Sequence, residues 1–197
     1  PRQTGKTSCL LALAEHLNSE GRYRAVYANL EAAQAARENV ALGIAAVVQA
    51  IANGAVLYLG DQEVQPLARK VLQDTAPLLT LGTFLDRWCS CSPQPLVLLL
   101  DEVDALVGDT LISLLRQLRA GYPQRPTAFP QTVILCGVRD LRDYRIHASS
   151  ESEPITGGSA FNIKAESLRL GDFSASETRT LLLEHTRETG QVFTPEA

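Results

Sequence analysis

The first residues of the chain combine a glycine, a lysine and hydroxyl side chains in a spacing that suits a bound anion. Pro1-Arg2-Gln3-Thr4-Gly5-Lys6-Thr7 match the last seven places of the phosphate-loop pattern G-x-x-x-x-G-K-[ST]. A glycine allows the tight turn in which consecutive N–H groups point at one anion, lysine adds positive charge, and a threonine hydroxyl can bind Mg²⁺. The spacing therefore predicts a nucleotide site at Gln3, Thr4, Gly5, Lys6, Thr7 and Ser8, with Lys6 at the β- and γ-phosphates.

A helix should follow this loop directly. Leu10, Leu13, Ala14 and Leu17 recur at helical spacing between Ser8 and Glu20, and Gly21 supplies a stop signal. The N-terminal end of such a helix carries partial positive charge, which favours phosphate binding at the loop.

A second candidate site follows a run of apolar residues. Pro95–Leu100 reads as a strand covered on both faces, and it ends abruptly at Asp101 and Glu102. Acids at the carboxyl end of such a strand lie where ligands bind in open α/β sheets. We expect Asp101 to bind Mg²⁺ and Glu102 to deprotonate the attacking water, the division of labour that phosphoryl transfer to water needs. In the alternative interpretation the two acids cap the next helix.

A third apolar run, Thr132–Val138, ends at Arg139 and Asp140. A polar residue in this position, on the strand beside the acid-bearing one, can contact the γ-phosphate, and we assign this sensor role to Arg139. The alternative is a surface ion pair between Arg139 and Asp140 or Asp143, a kind of contact that is common and weak.

Composition restricts the class of protein. The chain has 197 residues, 45% of them hydrophobic and 20% charged, which suits one globular domain with a sizeable core. The net charge of -4 argues against a dominant basic surface for nucleic acid. Four cysteines without metal-site spacing suggest reduced thiols and a cytoplasmic location, with Cys9 and Cys136 in core-like patterns. The apolar stretch 41–59 favours a core helix over a membrane span.

Helical and strand patterns alternate along the rest of the chain. The predicted elements are a strand at 23–30, a helix from about Ala32 to Ile51 with breaks at Gly54 and Gly60, helices at 64–75 and 81–88, a helix capped by Asp109, a loop at 143–159, a last strand around 167–170 and a helix opened by a capping box at 174–177. The alternation predicts an α/β fold with a mostly parallel sheet and helices on both faces. Together with the phosphate-loop pattern, this arrangement resembles the three-layer sandwich of P-loop NTPases. The strand that precedes the loop in such folds is absent from the sequence.

These motifs together resemble the AAA-like ATPase domains of prokaryotic ATP-binding proteins, near the signal-transducing (STAND) branch of the AAA+ superfamily. The resemblance covers essentially the whole chain and is carried by residues 1–8, 98–104, 133–140, 159–163 and 168–174. It implies one domain over residues 1–197, without the first strand and the C-terminal helical lid. It also implies ATP and Mg²⁺ as cofactors, slow hydrolysis, and a homo-oligomer or a partner protein. Arg139 matches the sensor arginine of the STAND branch.

Two other functions remain open. The chain could be a signalling or scaffold module that binds ATP and rarely hydrolyses it, or a DNA-associated ATPase that helps transposition or replication. The acidic charge balance ranks the DNA-associated function lower, and no membrane partner is expected. A small-molecule kinase fits less well, because two successive acids after an apolar strand suit water activation.

Overall fold

The computed structural model describes residues 5–137, 166 and 168–194. Within them the chain has an α/β architecture around a three-stranded parallel sheet with the order β1-β2-β3. The strands are β1 Arg24–Asn29, β2 Leu96–Asp101 and β3 Thr132–Leu135. Since the strands are parallel, their carboxyl ends share one edge of the sheet, and the register sets Asn29 of β1 beside Asp101 of β2. The predicted α/β class with a parallel sheet is confirmed.

Six α-helices surround or follow the described strands. They are α1 Lys6–Glu20, α2 Val40–Leu59, α3 Val64–Asp74, α4 Pro77–Cys91, α5 Gly108–Gly121 and α6 Ala175–Thr189. Short 3₁₀ helices occupy Glu31–Ala36, Val103–Ala105 and Tyr122–Gln124. The chain divides into two compact units: one is Thr7–Ser167, and the other takes in Leu168–Ala197 with Pro1–Lys6.

Apolar side chains cover both faces of the sheet, because alternate strand residues point to opposite sides. On one face Leu10 and Ala14 of α1 pack with Ala25, Val97 and Leu99. The larger core lies on the other face, where the helices α2, α3, α4 and α5 meet the opposite residues of β1 and β2. Its strand residues are Val26, Ala28, Leu96, Leu98 and Leu100. Every residue of β2 is buried, as expected for a central strand between two helical layers.

At Ala25, one side chain of α1 covers the outer edge of β1. Asn18 Nδ2 donates to the Ala25 carbonyl oxygen at 2.9 Å, and the Ala25 N–H donates to Asn18 Oδ1 at 2.7 Å. The amide therefore satisfies both backbone groups of a residue that faces away from β2, as a neighbouring strand would.

Glycine has a packing role inside α2, where the sequence predicted a break. Gly54 is buried in the helix interior, and a Cβ there would lie 2.4 Å from the Tyr27 carbonyl oxygen and 2.8 Å from Val26 Cγ1. Its lack of a side chain lets α2 approach β1 closely, so the predicted break at Gly54 is wrong. The break at Gly60 is confirmed: it adopts a left-handed φ of 65° and ends the helix.

Three further boundaries differ from the predictions. The expected helix from Ala32 is interrupted, because Glu31–Ala36 is a 3₁₀ helix and the Asn39 side chain accepts from the Leu42 N–H to start α2 anew. Asp109 is not the N-cap of α5: Val107 holds that place and Asp109 lies in the first turn, where its charge suits the helix dipole. Residues 168–170 form no strand, and Leu168 is 85% exposed.

Helix α2 also meets the length and composition of a membrane span, with a mean hydropathy of 2.0. It buries Ile44, Val47, Val48 and Ile51 in the larger core against the sheet and its neighbouring helices. This is the packing of a core helix, as the sequence predicted. Of the two cysteines expected in the core, Cys9 is exposed on α1, because it falls outside the apolar stripe that faces the sheet, and Cys136 is partly buried.

The smaller unit contains α6, whose start the sequence predicted. Ser174 and Glu177 form a reciprocal capping box, in which the Ser174 N–H donates to Glu177 Oε2 at 2.8 Å. These hydrogen bonds to the carboxylate lower the pKa of Glu177. Gly190 ends the helix in a left-handed conformation. The predicted loop at 143–159 lies outside the described residues.

Candidate functional site

Asp101 is the centre of the candidate site. It is the last residue of β2, and only 1% of it is exposed, so its carboxylate must be satisfied by donors within the protein. Its Oδ1 accepts the Glu102 N–H at 3.0 Å, and its Oδ2 accepts two hydroxyl groups. Its backbone carbonyl accepts the Leu30 N–H at 3.0 Å. The carboxylate is therefore fixed in position at the edge of the sheet where the strands end.

One of the two hydroxyl donors comes from the predicted phosphate loop. Thr7 Oγ1 donates to Asp101 Oδ2 at 2.7 Å, across 94 residues of sequence. Thr7 lies in the first turn of α1, directly after Lys6, which begins the helix. Gly5 has a left-handed φ of 75°, a conformation that favours glycine. The fold thus brings together the two residues that the sequence assigned to Mg²⁺, while the contacts of Lys6 with a nucleotide stay a prediction.

Glu102, the predicted base, follows Asp101 in an unusual backbone conformation. Its φ of 55° and ψ of 41° are left-handed, a region that costs a residue with a side chain about 1–3 kcal/mol. This conformation turns the chain sharply out of β2 into the 3₁₀ helix Val103–Ala105. The Glu102 N–H donates to the Asp101 carboxylate at the same turn. Strained residues held by their surroundings cluster at functional sites, so this geometry agrees with a role for Glu102 at the edge.

The second hydroxyl donor, Tyr27 on β1, was not among the predicted site residues. Its phenol donates to Asp101 Oδ2 at 3.1 Å, and its ring meets Tyr58 of α2 edge-on at a centroid distance of 6.1 Å. Burial first, and then the neighbouring Asp101 charge, raises the pKa of Tyr27 to about 12, so the phenol remains a donor at neutral pH. A tyrosine inside an apolar strand was a usable signal, because a buried phenol generally needs a polar partner.

Backbone contacts join the end of β3 to the segment after β2. The Val103 N–H donates to the Cys136 carbonyl at 3.0 Å, and the Cys136 N–H donates to the Leu100 carbonyl at 2.8 Å. A Cβ on Gly137 would lie 2.5 Å from Asp104 Oδ1, so the lack of a side chain at Gly137 lets Asp104 approach the end of β3. The predicted sensor Arg139, with Gln3 and Thr4 of the loop, lies outside the described residues, and Ser8 is exposed on α1.

The donor atoms in this site suit a magnesium ion. Thr7 and Asp101 offer a hydroxyl and a carboxylate, the hard oxygen ligands that Mg²⁺ prefers. Within residues 5–137, 166 and 168–194, no group of three or more His, Cys, Asp or Glu side chains could form a metal cage. Mg²⁺ is usually held by one or two protein oxygens together with waters and substrate phosphates.

Fold and site together define an α/β protein with an acid and a hydroxyl joined at the carboxyl edge of a parallel sheet. Comparisons of the chain with protein families, with curated proteins and with solved structures gave no match. The AAA-like family resemblance therefore stays a prediction from the motifs.

Proposed function

We propose that the chain binds ATP and hydrolyses it with Mg²⁺ as a P-loop ATPase of the AAA-like kind. The observation that carries the proposal is the 2.7 Å hydrogen bond between Thr7 and Asp101. Two motifs 94 residues apart supply the hydroxyl and the carboxylate that together suit the metal of a nucleotide. We further propose that the protein acts in the cytoplasm and drives a switch or remodelling step, in a homo-oligomer or with a partner protein.

Each loop residue has a defined task in this proposal. The backbone N–H groups of residues 3–8 and the positive end of α1 bind the phosphates, and Lys6 neutralises charge on the β- and γ-phosphates. Thr7 and Asp101 hold Mg²⁺, which when bound neutralises charge that develops on the phosphate oxygens. Because the Tyr27 phenol and the Glu102 N–H already hold the Asp101 carboxylate, little reorganisation is needed at the moment of reaction.

Glu102 completes the hydrolytic step. Its carboxylate takes a proton from water while the water oxygen forms a bond to the γ-phosphorus. The bond between that phosphorus and the β–γ bridging oxygen breaks, and ADP leaves with the electron pair. Arg139 contacts the γ-phosphate and senses its presence.

Two substitutions in the full-length protein test these roles. Lys6→Ala should abolish ATP binding, since it removes the loop's own charge from the phosphates. Glu102→Gln should retain ATP affinity and lower turnover by about 10²–10⁴-fold, the usual contribution of a general base. The exposed Glu63, at the N-cap of α3, provides the matched control Glu63→Gln, which should change neither quantity.

The outcomes separate this proposal from its alternatives. Unchanged ATP affinity in Lys6→Ala would defeat the nucleotide site, and normal hydrolysis in Glu102→Gln would place the base elsewhere. Tight ATP binding by the wild type with no turnover, alone or with partners, would favour the signalling or scaffold module. Turnover stimulated by DNA would favour the DNA-associated ATPase.

A further inference from the structure

We infer that Tyr27 is a positioning residue that orients Asp101 for Mg²⁺. The inference rests on the proposed function and extends it to a residue outside both motifs. Tyr27 reaches the metal site only through the carboxylate, so its action is on the geometry of Asp101 and not on the substrate.

The fold holds the phenol in place from several directions. Tyr27 lies on β1, paired in register with Leu99, two residues before Asp101. The Tyr58 ring supports one side of the Tyr27 ring, and Gly54 allows α2 to pack directly against the Tyr27 carbonyl. A side chain carried by a strand and fixed by a packed helix is more precisely placed than one on a loop.

The donors on Asp101 differ in what they can do when a metal is present. Thr7 is itself an expected ligand of the metal, so its hydrogen bond to Oδ2 is available for exchange. The Tyr27 phenol and the Glu102 N–H then remain as the donors that fix the two carboxylate oxygens. Partners that orient a metal-binding carboxylate in this way typically change metal affinity or activity by about 10–100-fold when removed.

A second polar side chain lies at the end of β1, two residues after Tyr27. Asn29 is paired in register with Asp101. Asn29 Oδ1 also accepts the Glu31 N–H at 2.8 Å, which anchors that side chain at the end of β1. Hydrogen bonds join Tyr27, Asp101 and Thr7 from the end of β1 across β2 to the start of α1, with Asn29 at the same edge of the sheet.

The test uses Tyr27→Phe in the full-length protein, which removes the hydroxyl and keeps the ring. The control is Tyr58→Phe, which removes a hydroxyl from the other ring of the pair and leaves both hydroxyl donors to Asp101 intact. The first measurement needs neither metal nor nucleotide: a double-mutant cycle in urea combines Tyr27→Phe with Asp101→Asn. A coupling of about tenfold in the folding equilibrium constant is expected for a hydrogen bond to a charged group.

The second measurement is the Mg²⁺ concentration that gives half-maximal binding of a non-hydrolysable ATP analogue, with Mg²⁺-dependent hydrolysis measured alongside. Tyr27→Phe should raise this concentration by about tenfold, while analogue affinity without Mg²⁺ stays unchanged. Tyr58→Phe should alter neither. A purely structural role for Tyr27 would weaken both kinds of binding together.

The failures of the two proposals can be told apart. If the wild type shows Mg²⁺-dependent binding and Tyr27→Phe shows the same Mg²⁺ dependence, the positioning role is overturned and the ATPase proposal stands. Absence of coupling in the double-mutant cycle overturns the positioning role as well. If the wild type binds no analogue at any Mg²⁺ concentration, the proposed function falls, and the metal role of Tyr27 falls with it.

Discussion

Replacing Gly54 by alanine should weaken the contact between α2 and β1. The new Cβ would lie 2.4 Å from the Tyr27 carbonyl oxygen, a distance that Cβ atoms essentially never show. The neighbour is backbone in a buried strand and cannot rotate away, so α2 and β1 must move apart. Overpacking of this kind costs about 1–3 kcal/mol, and the better helix propensity of alanine returns up to about 1 kcal/mol. We expect a net loss of about 1–2 kcal/mol in the free energy of unfolding.

A second glycine gives a matched control. Gly82 lies in α4, where a Cβ would come no closer than 4.0 Å to the nearest atom recorded, Gln117 Oε1. Gly82→Ala therefore adds helix propensity without a clash and should stabilise the protein by about 0.5–1 kcal/mol. Urea unfolding followed by far-UV circular dichroism measures both variants.

The two variants should shift the urea midpoint of unfolding in opposite directions. We expect Gly54→Ala to lower this midpoint and Gly82→Ala to raise it. If Gly54→Ala is as stable as Gly82→Ala, the helix and strand are not in the tight contact described, and the support that Tyr58 of α2 gives to the Tyr27 ring is in doubt.

Two further predictions concern an ion pair at the amino edge of the sheet, where β1 begins, and the thiols. Asp61 Oδ2 accepts hydrogen bonds from Arg24 Nη2 at 2.9 Å and from Trp88 Nε1 at 3.1 Å. Asp61→Asn should therefore lower the free energy of unfolding, measured in urea, by about 2 kcal/mol. The control Asp74→Asn changes an exposed carboxylate and should have little effect. Burial, reinforced by the Asp86 charge, raises the pKa of the Cys89 thiol to about 12, while Cys9 and Cys91 are exposed. Iodoacetamide at about pH 8 should therefore modify Cys9 and Cys91 in the folded protein and leave Cys89 unmodified, which peptide mass spectrometry can measure. Rapid labelling of Cys89 in the folded protein would contradict this prediction.

Much of the fold could be predicted because the sequence signals were local. The unbroken apolar run of β2, the stripe of α1 and the capping box of α6 each depend on residues close in sequence. The errors arose where tertiary packing decides. Gly54 has the same local chemistry as a helix break, and only the closeness of β1 makes it a packing residue. Asp109 resembles an N-cap by type, but the helix begins one residue before it, at Gly108.

Some of the site residues could likewise be predicted from the sequence, and others could not. The motif spacing pointed to Thr7 and Asp101, and the structure adds the distance between them. Tyr27 could not be assigned from spacing, because its contact with Asp101 depends on which strand neighbours β2 and in what register. The left-handed conformation of Glu102 likewise depends on the turn that follows β2, and it could not be predicted from the residue type.

The amide of Asn18 bears on how the molecule behaves in a crowded solution. An exposed sheet margin is a template on which a foreign chain can add itself, and repeated addition leads to fibrils. By occupying both main-chain groups of Ala25, Asn18 leaves no donor or acceptor at that residue with which a foreign strand could pair. Helix α1 thus carries both the phosphate-loop threonine Thr7 and the amide that satisfies the backbone of Ala25 at the margin of β1.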